Sequence, residues 1–130
     1  MDDVKKMDGK EYEDFLRESY GFIASMSITE DDYDLFLKRS GIPYTVRTIK
    51  NVYCGETFAS PTEIAYEKEG KPRWAYQFQF ASIDSYTSDI LVFAKQIPDK
   101  EIVEIYENWE AANLESLRKM PCKKINSIQN

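Results

Sequence analysis

At 130 residues the chain has the size of one domain that buries roughly two-thirds of its unfolded surface, so its core needs no disulfide framework or structural metal. A formal charge of −6 and the absence of histidine argue against a phosphate-binding surface and remove the commonest general base, zinc ligand and neutral-pH switch. The two cysteines, Cys54 and Cys122, read as free thiols, and residues 1–25 contain no long apolar run, which predicts a cytoplasmic protein without signal peptide or membrane span.

Asp8 and Glu11 have capping-box spacing, so a helix is expected to begin there and to end at Gly21 in a left-handed conformation. Tyr12, Phe15, Leu16 and Ser19 would share one face, with Glu11, Asp14 and Glu18 opposite. Phe22–Ile28 is apolar but short, and reads equally as a strand or a buried connector. Thr29–Gly41 predicts a second helix: Thr29 would cap it, Glu30, Asp31 and Asp32 suit its first turn, and Lys38 and Arg39 suit its last. Tyr33, Phe36 and Leu37 are its expected core face.

Period-two alternation then predicts a strand over Tyr44–Cys54, a loop over Gly55–Pro61 and a strand over Thr62–Lys68. Glu69, Gly70, Lys71 and Pro72 turn the chain into Arg73–Phe80, where Trp74, Tyr76, Phe78 and Phe80 alternate with Ala75, Gln77 and Gln79. Residues two apart on a strand share a face, so the four rings form one aromatic stripe. Asp89–Gln96 is apolar on both faces and predicts a strand covered on both sides. Pro98 opens a last helix over Asp99–Met120, with Ile102, Tyr106, Trp109, Asn113 and Leu117 near one stripe and Pro121 as its stop. The expected fold is α+β: two N-terminal helices, an antiparallel meander of about four strands, and a long C-terminal helix packed on the sheet. It spans residues 1–130 as a single globular domain, with 1–7 and 122–130 as flexible ends.

No catalytic, cofactor-binding or metal site is predicted. Glu30, Asp31, Asp32 and Asp34 lack the alternate spacing, glycine and distal glutamate of a calcium loop. Glu69-Gly70-Lys71 contains the Glu-x-Lys step of metal-dependent nucleases but falls in a turn, and Cys54 has no histidine to lower its pKa. Charge is uneven: Met1–Ser40 holds eleven acidic and six basic residues, whereas Gly41–Ile97 balances at six each. On the last helix Glu101, Glu104, Glu107 and Glu110 recur every third residue and form a negative ridge, which Glu11, Asp14 and Glu18 could extend.

These seven acids are the candidate partner-binding residues. A solvated, solubilising face is the plain reading of them; docking to a positively charged protein is the sharper one. Immunity proteins against nuclease toxins and anti-defence inhibitors share this profile of a compact, acidic chain without catalytic motifs, an analogy of profile alone. The expected function is a protein-binding module that inhibits a basic nucleic-acid-handling protein, with no cofactor and no direct nucleic-acid or membrane contact. Two alternatives stand beside it. One is a small-molecule-binding or enzymatic domain whose pocket is lined by Tyr66, Trp74 and Tyr76; the other is a homodimer formed through an exposed sheet edge or apolar patch.

Overall fold

The first helix, α1 (Gly9–Tyr20), carries the predicted capping box in full. The Asp8 carboxylate accepts from the Glu11 backbone N–H at 2.9 Å and the Glu11 carboxylate accepts from the Asp8 N–H at 3.0 Å. Gly21 ends the helix at φ 73°, a left-handed backbone that favours glycine, while a Cβ there would meet that of Ala94 at an ordinary 3.4 Å. The computed structural model describes residues 8–29, 31–49, 61–81 and 86–118. Cys54, Cys122, the loop expected over residues 55–60, Pro121 and both expected flexible ends lie outside them, as do the side chains of Phe80 and Leu117.

After α1 come β1 (Phe22–Thr29), a short helix α2 (Tyr33–Arg39), β2 (Tyr44–Thr48), β3 (Thr62–Lys68), β4 (Lys71–Ala81), β5 (Tyr86–Phe93) and α3 (Asp99–Arg118). The class is α+β, but the sheet has five strands where about four were expected, and a strand separates the first two helices. The strands are antiparallel in the order β1-β5-β4-β3-β2. Phe22–Thr29 is a strand because β5 offers it a ladder from Phe22 opposite Phe93 to Thr29 opposite Thr87. That pairing also corrects the second helix. Thr29 is committed to the ladder, so the helix starts at Tyr33 after Asp32, whose side chain makes no cap bond and instead accepts from Gln77 and Gln79.

The sheet separates two cores. On one face, Tyr76, Phe78, Leu91 and Phe93 pack under Tyr12 and Leu16 of α1 and Ile102, Ile105 and Tyr106 of α3. As expected of the last helix, α3 packs on the sheet over Tyr76 and Phe78 of the aromatic stripe, and α1 lies beside it on that same face. Tyr12 reaches Ile105, Glu13 reaches Trp109 and Tyr20 reaches Glu101, so the two helices run antiparallel. On the other face Ile64, Ala75, Ile90 and Val92 pack with Leu37 and Tyr33 of the seven-residue α2 and with Ile28, Ile42, Tyr44 and Tyr66. Among the described residues α2 is the one helix on this side, and the exposed large apolar residues described, Ile23, Met26, Phe36 and Val46, belong to the elements of this side or its edges.

Candidate functional site

Three polar clusters lie under the helical layer, and each satisfies itself. Glu63, 5% exposed, accepts from Nε and Nη2 of Arg47, from the Tyr76 hydroxyl at 2.9 Å and from Gln96 at 3.0 Å. Arg47 also grips Asp99, at the start of α3, at 2.7 and 3.0 Å. Burial pushes the Glu63 carboxyl up, and the hydrogen bonds from Arg47, Gln96 and Tyr76 outweigh it and hold it below the usual range. A buried carboxylate kept ionised by four donors is a structural clamp, not a proton donor. Asp89 accepts from Ser27 at 2.6 Å and Tyr106 at 2.8 Å. Glu13 accepts from Ser25 and from the Trp109 ring N–H, each at 3.2 Å.

Two surfaces remain as candidate sites. The first is the solvent side of α1 and α3, where the predicted acids are sorted by packing. Glu18, Glu104 and Glu107 are exposed and make no ion pair among the described residues. Glu11 is held in the capping box, Asp14 is paired with Lys10 and Arg17, and Glu101 accepts from the Tyr20 hydroxyl at 3.4 Å. Glu110 departs from the ridge: it is half-buried, and burial, then Asp89, then Glu107 raise its carboxyl above the ordinary value. The exposed positions described on the two helices carry Glu11, Asp14, Glu18, Glu101, Glu104 and Glu107 against Lys10, Arg17 and Lys100.

The second surface is the α2 side of the sheet. A groove of about 310 Å³ crosses its hairpin end, floored by Ala24 and Val92, with Ile23 and Met26 at one side and Lys68, Lys71 and Arg73 at the other. Tyr33 of α2 and Tyr66 of β3 also line it; their hydroxyls lie 3.1 Å apart and their rings 6.0 Å apart. Burial first, then the bond to Tyr33, pushes the Tyr66 hydroxyl well above the tyrosine range, so it stays protonated. Of the three pocket residues expected from sequence, Tyr66 lines this groove, whereas Tyr76 is sealed in the opposite core and Trp74 packs against that core. A smaller hollow of about 150 Å³ lies between α2 and the β2 end, lined by Asp32, Asp34, Val46 and Gln79 among others.

Glu69-Gly70 forms the two-residue turn of the β3–β4 hairpin, with Glu69 at φ 55° and Gly70 at φ 78°. The turn leaves Lys68 directly opposite Lys71. That cation pair could have been read from the two-residue loop and its register alone; the apolar half of the groove could not, because it needs β1 placed next to β5. Cys54 lies outside the described residues, among which no group of three or more metal-ligating side chains occurs. Asp31 pairs with Arg39 and Asp32 with the two glutamines. No helix among the described residues is long and apolar enough to cross a membrane. Comparison with family models, curated proteins and solved structures found no match.

Proposed function

We propose that the chain is a binding module that docks its two-helix acidic face on a positively charged protein, the best fit being a basic, nucleic-acid-handling protein that it inhibits. The observation that carries this reading is the antiparallel seating of α1 and α3, which collects onto one layer acids from segments more than eighty residues apart in sequence. The mechanism is electrostatic steering of the encounter followed by steric cover of the partner's substrate groove. Glu18, Glu104 and Glu107 are its centre because among the described residues they make no ion pair.

The test is a salt-dependent capture from the host's lysate, read by native mass spectrometry, followed by kinetics on the captured partner. A basic protein should co-purify at low salt and leave at high salt. Reversing Glu104 and Glu107 to Lys should lower its association rate about tenfold at low salt and flatten the salt dependence, with little change in dissociation. Unchanged kinetics would remove the acidic face from the mechanism.

A second reading, a homodimer through β1, is favoured by the character of that edge. β2 is five residues long and carries Arg47, which suits an exposed edge; β1 has eight residues, none charged, and Ile23 and Met26 are exposed on it. Among the described residues β1 pairs only with β5. In a chain of charge −6, an uncharged strand is where two copies can approach without repulsion, pairing antiparallel about a two-fold axis. Sedimentation velocity should then show a dimer that Met26→Lys converts to monomer; a monomer in the unaltered protein removes this reading.

A further inference from the structure

The groove on the α2 side of the sheet goes beyond the acidic docking face, and its geometry points to a binding site for a small anionic amphiphile. The ligand class is an organic carboxylate with a short apolar or aromatic tail, its head held by Lys68, Lys71 and Arg73 and its tail laid on Ile23 and Met26. Three observations converge on this class.

The first is charge. Lys68 and Lys71 are direct cross-strand partners, an arrangement of like charges that destabilises a hairpin unless an anion lies between them. Among the described residues neither forms an ion pair, and the Arg73 guanidinium, also without one, donates to the carbonyl of Pro72. Glu69 is the groove's one acid, so three cations face a single carboxylate in a chain whose net charge is −6. The second is the opposite side, where Ile23 and Met26 are 38% and 36% exposed beside the floor of Ala24 and Val92. Covering them removes apolar area from water, which an inorganic anion would not do. The third is size and polarity. A groove of about 310 Å³ has room for a small carboxylate with a tail of several carbons. The Tyr33 and Tyr66 hydroxyls bond each other, which uses one of their two hydrogens and leaves the other free to donate to the ligand's head.

The test is a titration of the full chain, followed by amide NMR, with octanoate, octylammonium and inorganic phosphate. Octanoate should shift the amides of residues 23–26 and 66–73 saturably, octylammonium should leave them unmoved, and phosphate should act more weakly and only near residues 68–73. Lys68→Glu with Lys71→Glu should weaken octanoate binding tenfold or more. These positions are exposed at the hairpin tip, so the dispersed spectrum of the fold should persist. Ile23→Ser should weaken octanoate but not phosphate, a difference that loss of folding could not produce. The proposal is overturned if octanoate moves no groove amide, if octylammonium binds as well, if phosphate alone matches octanoate, or if the paired lysine reversals change nothing.

Discussion

Phe78→Ala is expected to destabilise the fold by about 3–5 kcal/mol, a large share of the stability of a domain this size. Phe78 is 1% exposed, and its ring stacks on Tyr106 with centroids 4.0 Å apart and planes 7° apart; Tyr106 in turn stacks on Trp109 at 5.8 Å. Truncation removes the transfer energy of the ring and leaves a void that α3 cannot fill. Tyr106 is anchored on Asp89 at 2.8 Å and cannot follow the gap without losing that bond. The stack adds about 0.5–1.5 kcal/mol beyond area. Urea unfolding should show the midpoint falling with an unchanged slope. Phe36→Ala is the control: Phe36 is 39% exposed, with the Arg39 guanidinium over its ring as a cation–π pair, and should cost about 0.5 kcal/mol or less. A loss under about 1 kcal/mol for Phe78 would mean that the stripe is not the core.

That stripe was legible because its cause is local. Alternation of rings with small or polar residues from Arg73 to Phe80 fixes a face whatever the strand pairs with, and α1 is equally self-specified by Asp8, Glu11 and Gly21. The Thr62–Lys68 strand needed only its own pattern and the following turn. What escaped depends on partners distant in the chain. Phe22–Ile28 becomes a strand only through β5, more than sixty residues on, and Asp32 forgoes its capping role for Gln77 and Gln79. The candidate site divides in the same way. Glutamates at every third position are readable along one helix, but that Glu110 is half-buried and Glu101 meets Tyr20 is decided by how α3 lies on the sheet and on α1. The Arg47–Glu63–Asp99 clamp left no signal beyond two opposite charges on neighbouring strands, since a charged residue at an inward position looks from sequence like one facing water.

Arg47→Ala should cost about 2–3 kcal/mol and change how stability depends on pH. Removing one partner of a buried ion pair typically costs about 3–5 kcal/mol; the lower figure applies because Arg47 is 46% exposed, so part of its contribution is screened by water, and because Tyr76 and Gln96 still donate to Glu63. In the unaltered protein the Glu63 carboxyl lies below its unfolded value of 4.5, and Asp99, bonded by the same guanidinium, is also lowered. Such groups contribute stability that is complete above the unfolded value and is lost as pH falls through the folded one. Without Arg47 the balance at Glu63 reverses. Burial then dominates, the folded carboxyl rises above the unfolded value, and the penalty is absent in acid and grows as pH climbs through about 4.5. The two proteins should therefore differ most at neutral pH and converge on acidification, which urea midpoints measured from pH 7 down to pH 3 would show. A constant difference across that range would mean that Arg47 holds β2 and α3 together by packing alone and that Glu63 remains ionised without it, leaving Tyr76 and Gln96 as the bonds that keep a buried carboxylate charged.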